Sequence, residues 1–164
     1  MSEAIAKRAF DTANDLLKFS AVPFEDEPSK IFFIKAAKEF QNIGEFTIDD
    51  MPGVDLFMKM VIASFHTTVA ASNRHPSFNG TDEDLAKVAF EFACEVIGAS
   101  FLWDEVPSID KGDFVGAITS LRNNEDDGIL KMMMESASEA SCMLEIMFRS
   151  YAKHLIYVMK TSLN

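Results

Sequence analysis

Apolar side chains recur at intervals of three and four residues along nearly the whole chain, and nowhere do they alternate with polar ones long enough to make a half-buried strand. That period points to an all-α fold. Prolines, glycines and polar clusters cut it into about six segments. At 164 residues, close to the usual size of one domain, residues 1–164 are expected to form a single helical bundle.

The first segment runs from about Ser2 to Phe19, with Ile5, Ala9, Ala13 and Leu16 on one side and Lys7, Asp11 and Lys18 opposite. A loop containing Pro23 and Glu25 to Pro28 leads to a second, Ser29 to Asn42, with Gly44 placed as its C-cap. A third begins near Asp50-Met51-Pro52 and stops before His75-Pro76, because a residue preceding proline is pushed away from helical angles. Thr81 to Asp84 reads as a capping box opening a fourth helix over residues 82–103. Leu85, Val88, Ala89, Phe92, Val96, Ala99 and Trp103 fall on one of its faces. Phe90, Cys94, Ile97 and Phe101 form a second apolar stripe nearly opposite. A helix apolar on two sides must be covered on two sides, so this one is expected at the centre of the bundle.

Pro107 and Gly112 bound a short fifth helix, with Asp110 as a candidate cap and Phe114, Ile118 and Leu121 facing inward. The last segment, about residues 125–162, holds no proline or glycine after Gly128. A single helix of that length would be roughly 50 Å long, more than a bundle of this size usually spans. It must project or break, and the small residues from Ser136 to Ser141 are where a break is expected. On the far side of this segment, Met132, Met143, Ile146 and Tyr157 make a second apolar stripe that needs cover.

Composition removes several functions. Twenty-six acidic residues against 15 Lys and Arg give a net charge of −11, and no basic stripe with interleaved aromatics marks a nucleic-acid surface. Much of the acid lies in runs before or inside first helical turns, where it complements the helix dipole. No apolar run approaches the ~20 residues of a bilayer crossing, and charges are spread through the first twenty residues where a secretory signal would be uninterrupted. With only Cys94 and Cys142, and no paired-cysteine motif, the expectation is a cytoplasmic chain without membrane partners.

The chemistry of sites is thin. His66, His75 and His154 show no metal-ligand spacing, and the acidic stretch after Asn123 lacks the carboxylate that a calcium loop needs at its last position. His66 and His154 sit at the edges of apolar stripes, where one nitrogen would reach water. Lys131 and Arg149 fall near Cys142 around the helix wheel and would lower its thiol pKa, but no histidine is placed as a base. No catalytic group, cofactor or metal is therefore assigned.

What remains is an apolar surplus, with fifteen Phe and ten Met. The leading expectation is a non-catalytic protein-interaction domain, an adaptor, inhibitor or regulatory factor. It would act through Met132, Met143, Ile146 and Tyr157 and form a homodimer. The alternative is a sensor for a small apolar ligand in a pocket lined by Phe90, Cys94, Ile97 and Phe101.

Overall fold

The computed structural model describes residues 2–18, 24, 26–39, 55–99 and 101–162, and every regular element among them is helical. Phe40, Gly44 and the stretch from Asp49 to Val54, on which the end of the second helix and the start of the third were expected, lie outside the described residues, as do Phe19, Pro23 and Glu25. Seven α-helices are described: α1 Ser2–Leu17, α2 Glu27–Glu39, α3 Leu56–Arg74, α4 Asp82–Ile97, α5 Ser108–Arg122, α6 Ile129–Ser136 and α7 Glu139–Ser162. A single 3-10 turn, Trp103–Glu105, lies between α4 and α5.

Local chemistry sets most of the boundaries. The Asp55 side chain accepts a hydrogen bond from the Met58 amide and opens α3, which stops at Arg74, ahead of Pro76. Thr81 accepts from the Asp84 amide while the Asp84 carboxylate accepts from the Thr81 amide, a complete capping box. α4 is shorter than its periodicity suggests. Gly98 takes a left-handed conformation (φ 78°), its amide and that of Ala99 close the last turn, and the chain leaves the helix five residues before Trp103. α5 corrects the expectation in the opposite direction: it starts directly after Pro107 and runs through Gly112 and Gly116. An interior glycine costs a helix only about 0.5–1 kcal/mol, which burial of Ile118 and Leu121 outweighs.

The last segment breaks where small residues cluster. Ala137 is extended (φ −105°, ψ 163°), and the Ser138 hydroxyl accepts from the Ser141 amide to start α7. The Glu125 to Asp127 run lies outside the helix rather than in its first turn, with Asp126 and Asp127 accepting from the Gly128 and Ile129 amides.

The central helix is α7, not α4. It packs against α1, α3, α4, α5 and α6, and an unbroken run from Ile146 to Ala152 is buried. α4 is nonetheless covered on both faces, by α7 on one side and by α5 and the 3-10 turn on the other. Met143 and Ile146 are also fully buried, which corrects the outward-facing stripe expected of the last helix. Because α7 is surrounded, the bundle itself supplies the cover that a partner was expected to provide. A second, smaller apolar cluster joins Phe10, Phe24 and Phe33 to Phe65 where α1, α2 and α3 meet. No helix among the described residues is long and apolar enough to cross a membrane.

Candidate functional site

Of the four residues expected to meet a partner, Met132 alone stands free on the surface, 57% exposed. Tyr157 is also exposed, but the Arg8 guanidinium lies 4.6 Å from its ring centroid and occupies one face. With Met143 and Ile146 inside, Met132 and Tyr157 belong to no common apolar surface of α7. Self-association through that face therefore loses its middle.

A wide concavity lies between the 101–107 segment and α5 on one bank and α6 and α7 on the other. It has about 770 Å³ of space and is open along one side. Phe90 from α4 and Phe114 from α5 meet at 5.1 Å between ring centroids on its floor. Behind them Trp103 packs 5.7 Å from Phe90, and Phe148 packs 4.8 Å from Phe114. Ala117, Val106, Ile129 and Leu144 complete the apolar lining. At the mouth, Phe101 and Leu102 lie exposed where the chain has left α4, Phe101 at 62%. The left-handed turn at Gly98 is what puts them there.

Phe90 and Phe101, two of the four residues expected around an apolar pocket, do line this groove. The other two do not. Cys94 is buried and Ile97 packs, half-buried, against the main core. The α5 contribution was missed at the sequence level, because only the inward stripe Phe114–Ile118–Leu121 stands out there. Gly112, Gly116 and Ser120 line the groove at four-residue spacing, and a Cβ placed on either glycine would touch nothing within 4 Å. Ile109, at 80% the most exposed large apolar residue described, shares their side of α5.

The rim is acidic. Glu105, Asp110 and Asp113 edge the α5 bank, and Asp127 and Glu145 the opposite one. The last two are held by Arg149, whose Nε donates to Glu145 (2.9 Å) and whose Nη1 and Nη2 donate to the two Asp127 oxygens (3.2 and 2.9 Å). This clamp fastens the α5–α6 connection to α7 and thereby sets one wall of the groove. Arg149 is itself 4% exposed, and its carboxylate partners keep the guanidinium firmly charged against the opposing effect of burial. A smaller, more polar hollow of about 360 Å³ lies on the far side of the same clamp, bordered by Asp15, Lys18 and Lys153.

Other reactive groups are committed to packing. Burial raises the pKa of both thiols; at Cys142, Glu139 and Glu145 add to it, the reverse of the effect expected from Lys131 and Arg149. Cys142 donates its hydrogen to the Met133 carbonyl (3.2 Å). His66 and His154 are buried outright instead of standing half in water. His154 Nε2 donates to the His75 carbonyl (3.0 Å), and burial holds its pKa down to about 4. Among the described residues no three His, Cys, Asp or Glu side chains converge on a point that could hold a metal ion. Protein-family models, curated proteins and solved structures were compared with the chain, and none matches.

Proposed function

We propose that this chain is a protein-interaction domain that receives a partner segment in the groove that the 101–107 segment and α5 form with α6 and α7. The observation that carries the reading is the coincidence of exposed Phe101 and Leu102 with a concavity floored by Phe90 and Phe114, with exposed Ile109 on the side of α5 that carries the lining residues Gly112 and Gly116. Contiguous exposed apolar surface with a polar rim is the usual character of an interaction site. The titratable groups best placed for chemistry, Asp127 and Glu145, are occupied in holding Arg149. A small apolar ligand is the second reading, favoured by a volume within the ~300–1,000 Å³ of ligand sites. The open side and charged rim fit a macromolecule better, since small-ligand sites enclose most of the ligand surface.

Site-directed photocrosslinking in the producing cells separates the readings. A benzophenone side chain in place of Phe101 or Ile109 is expected to give a discrete protein adduct, lost when Leu102→Ser is added, while the same probe in place of Ile31, exposed on α2 and outside the groove lining, gives none. Equal labelling from all three positions, or no protein adduct together with a small apolar molecule retained in native mass spectrometry, would remove the reading.

A further inference from the structure

The charge and the helix surface bordering the groove narrow the partner's chemistry. The lining carries five carboxylates, from Glu105, Asp110, Asp113, Asp127 and Glu145, against the single guanidinium of Arg149, which two of them already share. Of the other three, only Asp110 lies in the first turn of α5, where the helix dipole accounts for a negative charge. Glu105 precedes the helix and Asp113 follows its first turn. Neither has an ion-pair partner among the described residues, and the nearby Lys111 ammonium lies over the Trp103 ring instead. The bank thus presents uncompensated negative charge beside exposed apolar side chains.

The backbone of α5 is laid bare in the same place. Gly112, Gly116 and Ser120 follow one another at i, i+4 and i+8, so their backbones border the groove with almost no side chain in the way. No contact among the described residues requires either glycine: neither has a positive φ, and added Cβ atoms meet nothing within 4 Å. Both weaken α5 relative to alanine. What a small-residue row does offer is close approach of a second helix, whose own side chains then reach past it onto the floor.

From these features together we infer that the occupant is a cationic amphipathic helix from another protein. It lies along Gly112, Gly116 and Ser120, sets its apolar stripe on Phe90, Phe101, Leu102 and Phe114, and points lysine or arginine side chains at Glu105, Asp110 and Asp113. This rests on the groove being a protein-docking site and adds the sign of the partner's charge and its secondary structure. Charge complementarity of this kind raises the association rate and rejects anionic competitors.

The test uses the full chain and three synthetic peptides as long as α5: a Leu/Ala helix flanked by Lys, the same helix flanked by Glu, and the Lys sequence shuffled to destroy its apolar stripe. Titration by Trp103 fluorescence and calorimetry is expected to show saturable binding of the first only, weakened at least about tenfold between roughly 0.05 and 0.5 M NaCl. Glu105→Lys with Asp113→Lys should exchange the preference toward the Glu peptide. Gly112→Leu with Gly116→Leu should lower affinity at least about tenfold. The companion Gly116→Ala should raise Tm by about 1–4 °C while weakening binding, which separates blocked docking from failed folding. Equal binding of the Lys and Glu peptides, binding of the shuffled sequence as tight as the first, or no binding at all would overturn the inference. A crosslinked protein adduct at Phe101 or Ile109 combined with no Lys-peptide binding would leave the docking site standing and discard the cationic helix.

Discussion

Arg149→Met tests whether the clamp between α7 and the α5–α6 connection is as consequential as its geometry indicates. The guanidinium makes three hydrogen bonds to two carboxylates, and methionine preserves most of the stem volume, so the substitution removes charge and hydrogen bonds more than packing. Removing one member of a buried ion pair costs about 3–5 kcal/mol, because the partner's charge is left without compensation. Here the stranded groups retain some water, with the Asp127 side chain 24% and that of Glu145 13% exposed, which places the loss lower, at about 2–3 kcal/mol. With a urea slope of about 2 kcal/mol/M, the unfolding midpoint should fall by about 1–1.5 M. Trp103, the only tryptophan and buried beside Phe90, reports the transition by fluorescence, and far-ultraviolet circular dichroism tests whether both probes agree. Adding Asp127→Asn and Glu145→Gln to Arg149→Met removes the stranded charges and should return the protein to within about 1 kcal/mol of the parent. A single-variant shift below about 0.3 M, or a triple variant no more stable than the single one, would refute the reasoning.

Two further outcomes concern the core. The pKa of His154 is lowered in the folded state from 6.5 to about 4, by burial first and with the charges of Arg8 and His75 adding to it, while its bond to the His75 carbonyl opposes the shift. The unfolded chain therefore binds more protons between those values, so this contribution is complete above about pH 6.5 and is lost as pH falls to about 4. Urea titrations at pH 7 and pH 4 should show the parent losing about 3 kcal/mol more than His154→Gln, and parallel losses would contradict the assignment. Ile146→Glu should unfold the protein, because it buries a charge without a partner at a fully enclosed position. A folded variant with near-ultraviolet dichroism unchanged would mean that α7 is not the centre of the bundle.

Where one short stretch decides a feature, that feature was readable from the chain. The capping box at Thr81, the stop before Pro76, the break between Ser136 and Ser141 and the inward stripe of α5 are all of this kind. Each is a contest between neighbours a few residues apart. The identity of the central helix was not readable, since α4 and α7 are both apolar on two sides and only their packing decides which one is surrounded. Period-3.6 matching carried α4 through to Trp103 because it weighs side chains, whereas the helix ends on the backbone conformation of Gly98. That misplacement hid the groove. With residues 98–103 helical, Phe101 shares a stripe with Cys94 and Ile97; once the chain turns at Gly98, Phe101 swings to the mouth of a concavity that Cys94 does not border.

The exposed side of α5 also shows why core arguments alone misjudge this molecule. A helix face that only meets water is best filled with Ala, Lys, Glu, Gln or Arg, which favour the helix and hold it in solution. α5 instead presents Ile109, Gly112, Asp113, Gly116 and Ser120 on that side, a choice poor in helix propensity and with one large apolar group in the open. Its opposite side is conventional, with Ile118 and Leu121 buried and Phe114 in the aromatic group at the core's edge. Were α5 selected for stability alone, alanine at 112 and 116 would be better, since no described residue stands within 4 Å of an added Cβ. Stabilising this face and filling the groove beside it are the same substitution, so a series from glycine through alanine to leucine at position 116 should first raise stability while partner affinity declines at every step. If affinity is unchanged along the whole series, the bare helix face has no part in binding.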